Sequence, residues 1–395
     1  TLTIKHGPHQ MMMRHNTTNS LWKILSPPPV KRGDKDRIDA AMAKITRWQV
    51  VVGGFVTDDL KTDLEPYGLQ APEAEITLGN GTNQLTAVQF GHSPTNQPEY
   101  VYARILSHTN VVVVRKDWLI DLRARPWDFA DHRLVDVVVP GDLARIEVMA
   151  GDNFSISQNT NGVWRLSAPT HLPADENLVL GMLNNLRKME AIELEREVVA
   201  DFSEFGLAEP STSYTLRRRG GTNEIHTQLT FGTAAGDSGD RLYVKRGDED
   251  SVYVVAKGAR ESLPTYSYQL RQRQLWEFTG KDVVKLTVTV GDKVVTLERN
   301  DTGQWTRPGR PLAANELRDI KTALSFLGKF RVVDWTARGG DKLTKYGISL
   351  EKLLTLELFR GGERVERKIQ FGRNSPSGNP YALATDPLEQ EPVIF

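Results

Sequence analysis

The chain sets out the same pattern three times, and any fold proposed for it must accommodate that repetition. Trp22, Trp164 and Trp305 recur at intervals of 142 and 141 residues. Each is followed by an aromatic-glycine-aliphatic triplet: Tyr67-Gly68-Leu69, Phe205-Gly206-Leu207 and Tyr346-Gly347-Ile348. A Phe-Gly pair then recurs as Phe90-Gly91, Phe231-Gly232 and Phe371-Gly372. Repetition at this length implies one supersecondary plan used in tandem. Units of this size can each carry a core, unlike the short repeats of solenoids. What recurs is architecture, and no catalytic constellation recurs with it.

Each unit reads in the same order. In the second, Ala144 to Val148 alternates in polarity as a strand does, and so does Phe154 to Ser157. Asn159-Thr160-Asn161-Gly162 is turn chemistry, and Val163 to Leu166 returns as a strand carrying the tryptophan. Asn16 to Asn19 and Asn300 to Gly303 give the same signal ahead of the other tryptophans. A proline-bearing loop comes next (Pro27 to Pro29, Pro169, Pro308 with Pro311), and the apolar period then becomes helical. Ile38, Met42, Ile45 and Trp48 fall on one face in unit one. Val179, Met182, Leu183, Leu186 and Met189 do so in unit two, and Leu317, Ile320, Leu324 and Leu327 in unit three. Behind the glycine triplet, with Pro72 and Pro210 after it in the first two units, come alternating strands: Glu75 to Leu78, Tyr214 to Leu216 and Leu354 to Leu358. A strand ending on Phe-Gly, a strand bearing Tyr102, Tyr243 or Tyr381, and a last strand at Val111 to Val114, Val252 to Val255 or Val393 to Phe395 complete the set.

Units one and two end on a further segment expected to be helical, near Trp118 to Phe129 and Glu261 to Phe278. Both contain Leu-Arg-x-Arg, at Leu122 to Arg125 and Leu270 to Arg273. Short strands joined by tight turns favour antiparallel pairing. The expected class is therefore α+β: three tandem units, each a mainly antiparallel sheet with one or two packed amphipathic helices, arranged as an elongated row. The boundaries are residues 1–141, 142–282 and 283–395, the last lacking the final helical segment. Strand sharing at the junctions is expected, since little linker separates the units.

Composition narrows the function classes. Fifty basic and 50 acidic residues give a formal net charge of zero, which disfavours general nucleic-acid binding. Arg217-Arg218-Arg219, ahead of Gly220-Gly221, reads as a solvated hairpin end. The absence of cysteine excludes disulfides, thiolate metal sites and cysteine nucleophiles. No apolar run approaches the about 20 residues needed to span a bilayer. The chain begins at Thr1 with no signal-peptide pattern, so a leader or an anchor is expected upstream.

Taken in order, the tryptophan before a proline, the amphipathic helix, the Tyr-Gly-Leu-x-x-Pro box, the Phe-Gly pair and the tyrosine strand before a valine-rich strand resemble a bacterial family, DUF4340, whose function is unknown. The likeness covers nearly the whole chain. It implies an extracytoplasmic protein tethered by an N-terminal membrane helix and encoded beside ABC transporters of the gliding-motility type. It supplies no catalytic residue. This chain departs from the usual form in lacking the anchor helix.

For each candidate site a plainer role fits the residues better. Gly68, Gly206 and Gly347 suit positive φ or close backbone approach at turns better than a ligand cleft. The recurring aromatics suit core packing better than a sugar or peptide platform. His6, His9 and His15 match no metal-ligand spacing. Met11-Met12-Met13 beside them fits either a flexible start or a strand. Asp58-Asp59, Asp131 and Asp248 with Asp250 sit in turn-like sequence, and Asp248 to Ser251 lacks calcium-loop spacing. Arg32-Gly33-Asp34 and Arg246-Gly247-Asp248 match an adhesion tripeptide that arises easily by chance. No nucleophile elbow or phosphate loop is present. No cofactor, metal or catalytic residue is therefore expected. The reading is a non-enzymatic accessory or scaffold protein with a protein partner, the transporter's membrane subunits. The alternatives are an envelope glycan-, lipid- or peptide-binding module using Trp22 and Trp164, and, last, a hydrolase.

Overall fold

In the computed structural model the described residues are 1–59, 63–81, 83–136, 139–220, 224–308, 310–384 and 391–395. Gly221 lies outside them.

Each repeat supplies one sheet. The first is built from β1 (Leu2–His6), β2 (His9–Asn16), β3 (Leu21–Ser26), β4 (Lys31–Gly33), β5 (Phe55–Thr57), β6 (Ala74–Asn80), β7 (Asn83–Phe90), β8 (Tyr100–Ile105) and β9 (Val111–Arg115). The second has β10 (Leu143–Met149), β11 (Asn153–Gln158), β12 (Trp164–Ala168), β13 (Glu193–Arg196), β14 (Thr212–Arg218), β15 (Ile225–Ala234), β16 (Arg241–Arg246) and β17 (Val252–Ala256). The third has β18 (Val283–Val290), β19 (Lys293–Arg299), β20 (Trp305–Arg307), β21 (Arg310–Pro311), β22 (Ala337–Arg338), β23 (Lys352–Arg360), β24 (Glu363–Asn374), β25 (Pro380–Ala384) and β26 (Val393–Ile394).

Strand orders are β4-β3-β2-β1-β6-β7-β8-β9-β5, β12-β11-β10-β14-β15-β16-β17-β13 and β21-β20-β19-β18-β23-β24-β25-β26-β22. One topology is thus used three times, with the second sheet, among the described residues, lacking the short edge strand that β4 and β21 supply in the others. Two antiparallel meanders meet through their first strands, as Ile4 opposite Ile76, Val148 opposite Tyr214 and Val288 opposite Leu354 show. The strand after the helix travels to the far edge in each repeat (β5, β13, β22), a step the sequence did not reveal. The sheets fall within residues 1–141, 142–282 and 283–395, and none takes a strand from a neighbouring repeat, so the expected strand sharing does not occur. The second and third repeats are joined instead by an isolated bridge, Gln274 with Arg331, and by Leu275 N–H donating to the Phe330 carbonyl. By compactness the chain divides into two units, residues 1–133 with 190–200 and 251–253, and residues 134–189 with 201–250 and 254–395.

One long helix packs on each sheet: α1 (Lys35–Ile45), α2 (Glu176–Arg187) and α3 (Ala314–Leu327). Their apolar stripes bury Ile38 and Ala41, then Val179, Met182, Leu183 and Leu186, then Ile320 and Leu324. Each fully buried valine, leucine, isoleucine or methionine among these contributes roughly 1.5–3 kcal/mol. Trp48 and Met189 lie beyond the helix ends. After Ile45 the run Val50-Val51-Val52-Gly53-Gly54 has poor helix propensity. Trp48 instead stacks on Trp118 at 5.0 Å between centroids and meets the edge of Phe90. The sheets' other faces are polar, with ladders such as Glu75–Gln89–Arg104 and Arg217–Glu147.

The closing segments are not continuous helices. They break into single turns at Leu119–Leu122 and Pro126–Phe129, and at Lys257–Glu261 and Ser267–Leu270. Pro126 and Pro264 interrupt the backbone ladder. Nor are the two Leu-Arg-x-Arg stretches equivalent. The N–H groups of Asp34 and Asp175 donate to the carbonyls of Phe129 and Leu270, which makes Leu270 the counterpart of Phe129. At that register Leu263 matches Leu122, and both are buried. Residues 2–16 form a regular hairpin with Met11 and Met13 inside, so the flexible start is excluded.

Gly162 and Gly303 take φ of 81° and 77° two residues ahead of their tryptophans, and Ser20 takes φ 55° at the same place in repeat one. A serine there carries the left-handed penalty of roughly 1–2 kcal/mol, against glycine's extra unfolded entropy of roughly 0.5–1 kcal/mol. Ser20→Gly should therefore stabilise by about 0.5 kcal/mol, read as a higher urea midpoint at unchanged slope.

Candidate functional site

The repeated glycines and aromatics converge on one joint, built three times. In repeat two Gly206 closes a single helical turn with φ 65°, and Gly68 and Gly347 do the same at 67° and 68°. The Phe-Gly glycine then packs directly on the backbone of that turn. A Cβ on Gly232 would lie 2.0 Å from the Phe205 carbonyl oxygen. On Gly91 and Gly372 it would lie 2.0 and 2.2 Å from the oxygens of Tyr67 and Tyr346. The turn's aromatic ring meets the tyrosine of the following strand edge-on. The pairs are Tyr67–Tyr102 at 4.9 Å, Phe205–Tyr243 at 5.0 Å and Tyr346–Tyr381 at 4.7 Å. Triplet, pair and tyrosine are thus one clasp that pins the crossover turn to the second meander. The sequence showed its parts but not their meeting.

The tryptophans also lie inside. Trp22 and Trp164 are 8% and 2% exposed, so neither can serve a surface platform. Trp22 Nε1 donates to Asp39 of α1 at 2.9 Å. In repeat two Tyr214 is fully buried, its hydroxyl donating to the Pro264 carbonyl, and burial pushes its pKa up to about 12. Because the folded pKa is raised, this contribution is complete below the unfolded value of about 10 and is lost as pH rises toward 12. A rise from about 10 to about 12 corresponds to about 2–3 kcal/mol. The wild type should lose that much more stability than Tyr214→Phe between pH 9 and 12, measured by paired denaturation curves.

Both adhesion-like tripeptides are taken up by structure. Arg32 reaches Asp131 and the Arg133 carbonyl, Gly33 faces the Trp22 and Ile38 side chains, and Asp34 caps α1. Arg246 is 1% exposed, donating to the Leu134 carbonyl at 2.7 Å and to Asp248. Burial opposes its charge, but Asp248, Asp136 and Glu249 outweigh it and raise its pKa. Burial likewise works against the Asp131 carboxylate, yet Arg133 and Arg32 hold its pKa below the ordinary value.

His6 and His9 face each other across the β1–β2 hairpin, whereas His15 lies at its other end against Trp22. Among the described residues no group of three or more His, Asp or Glu side chains converges as a metal site. Of the paired acids, Asp248 is engaged by Arg246, and Asp59 follows β5 with its N–H donating to the Thr57 hydroxyl. Arg219 is tied to Gln158 and to the Asn159 carbonyl. No helix among the described residues is long and apolar enough to cross a membrane.

The first repeat holds a cleft of about 560 Å³ between its hairpin end and the closing segment. Ile4, Met11 and Leu122 form its apolar wall, and His6, Arg123 and Arg125 its basic side. Glu73 pairs with Arg123 beside it. Burial opposes the Glu73 charge, but Arg123 and His6 lower its pKa on balance.

Two carboxylates organise the joint between the second and third repeats. Asp175, 2% exposed, caps α2 and accepts from Arg273 and Arg331, each at 3.2 Å. Asp152 accepts from the Ser267 N–H and hydroxyl and from Arg338 at 2.7 Å, while Arg338 lies over Tyr268.

Compared with known proteins, residues 22–163 and 164–350 each match the model of a domain of unknown function, DUF4340. Both matches start on a tryptophan, so each begins within the strand that carries it, β3 or β12. No curated protein and no solved structure matches the chain.

Proposed function

The chain belongs to the DUF4340 family, and from that premise we propose that it is a non-enzymatic accessory or scaffold protein acting outside the cytoplasm. Its partner in this proposal is the membrane part of an ABC transporter of the gliding-motility type, with a tether upstream of Thr1 holding it at the membrane. One observation carries the reading: the residues that recur in all three repeats are engaged in the clasp and the cores, so repetition serves shape. Multiplying one module in tandem multiplies presenting surface.

Affinity capture from membranes of the native organism, with fractionation of the same cells, tests this. Recovery of transporter subunits with the chain on the extracytoplasmic side supports it. Recovery of none, with normal transporter output in a deletion strain, overturns it. An elongated row of repeats is part of the proposal. Small-angle scattering should give a radius of gyration well above the about 21 Å of a compact chain of this length.

The basic-sided apolar cleft of repeat one favours a second reading, binding of an anionic lipid or peptide. Titration with anionic and neutral vesicles separates it from the first, since only this reading requires charge-dependent binding.

A further inference from the structure

In the first two repeats the inner face of the first hairpin is covered. The turn at Leu119–Leu122 packs on β1 and β6, and the turn at Ser267–Leu270 packs on β11. Ile4 and Met11 are each 4% exposed beneath the first, and Val148 and Phe154 are 3% and 4% exposed in the second. Register places Val288 and Val295 at the same positions in repeat three, opposite one another and beside Leu354. They are 38% and 41% exposed, and Val290, two residues further along the same face, is 58% exposed. Helix α3 shares a core cluster with Leu286, Leu297, Leu354 and Leu356, and that cluster does not include Val288, Val290 or Val295. Val288 and Val295, at inward-facing positions of a paired hairpin, thus meet water where their counterparts in both sister repeats are dry, and Val290 extends the exposed patch.

The sister repeats also show the chemistry of a cover. Its large buried apolar residues are leucine and aromatic, Leu119, Leu122 and Phe129 in one and Leu263, Tyr268 and Leu270 in the other. In repeat one it carries Arg123, which pairs with Glu73 at the foot of β6. Glu351 occupies the Glu73 position in repeat three: its carbonyl accepts from Gly291 N–H as that of Glu73 accepts from Gly7 N–H. We propose that the hairpin face of Val288, Val290 and Val295 is a docking site for a partner polypeptide. Its occupant is a short turn with leucine or aromatic anchors and an adjacent arginine that reaches Glu351. This inference deepens the accessory-protein reading by naming its surface, and rests on that reading for the partner's existence.

The probe is a synthetic peptide of residues 116–130, titrated into the full chain by fluorescence anisotropy. Saturable binding is expected, weakened at least tenfold by Val288→Asp and by Val295→Asp. Both positions are part-exposed, so the fold should hold, and unchanged circular dichroism verifies it. Glu351→Lys should weaken the wild-type peptide several-fold and leave an Arg123→Ala peptide unaffected. Binding indifferent to both valine changes, or no binding at millimolar peptide, overturns the proposal. A concentration-dependent dimer abolished by Val288→Asp also overturns it, assigning the face to a second copy. Transporter subunits recovered equally by wild type and Val288→Asp refute this site while leaving the accessory role intact. Peptide binding without any transporter recovery refutes the transporter instead.

Discussion

Gly232→Ala is expected to destabilise the second repeat by about 4 kcal/mol or more, among the largest single-residue effects available to this chain. The added methyl would sit 2.0 Å from the Phe205 carbonyl oxygen and 3.0 Å from Leu207 Cγ. A flexible side-chain end can swing aside from such an overlap, but a backbone oxygen cannot. Here that oxygen is held by the left-handed Gly206 that comes after it and by the Phe205 ring on Tyr243. Ordinary overpacking costs about 1–3 kcal/mol because neighbours yield, and here they are fixed on both sides. Gly91→Ala and Gly372→Ala should behave alike, since the same clash recurs at each. Gly181→Ala supplies the opposite sign. It lies in α2 with nothing within 4 Å of the added carbon and should stabilise by up to about 1 kcal/mol. Urea unfolding followed by tryptophan fluorescence reads both. A loss below about 1 kcal/mol for Gly232→Ala would mean that the clasp gives way and is no clasp.

Asp175→Ala should cost about 3 kcal/mol, from two sources of similar size. The carboxylate accepts from the N–H groups of Asn177 and Leu178, a cap worth about 0.5–2 kcal/mol. It also receives Arg273 and Arg331 where the carboxylate itself is buried. Breaking a fully buried pair costs about 3–5 kcal/mol, but Arg331 is half exposed and regains water when its partner leaves. The pair's share is therefore nearer 1–2 kcal/mol. Asp175→Asn keeps a capping oxygen and loses the charge, so it should cost about half as much as alanine. In a cycle with Arg331→Ala, coupling near zero would remove Asp175 as a link between the repeats.

The features legible in the sequence are those written in short-range pattern. Alternation along Leu354 to Leu358 and three-to-four spacing along Leu317 to Leu327 come from burying one face of a strand or helix, and both elements formed there. The helix ends at Ile45 and Arg187 were less legible, because Trp48 and Met189 continue the apolar period while a changed backbone carries them into the core. The Leu-Arg-x-Arg match misled, since composition repeated while register did not.

By itself, then, the sequence determined that one α+β plan is used three times and which residues mark it. Each strand and helix leaves a local imprint in the order of its own residues. Only the tertiary structure decided that Gly206 and Gly232 belong to one joint, that β5, β13 and β22 travel to a far edge, and that Arg246 is buried among carboxylates. It alone decided that Val288 and Val295 stay wet where Ile4 and Met11 are dry. Those outcomes depend on which distant backbone or side chain arrives opposite a residue, and contacts across tens of residues leave no periodic trace in the chain.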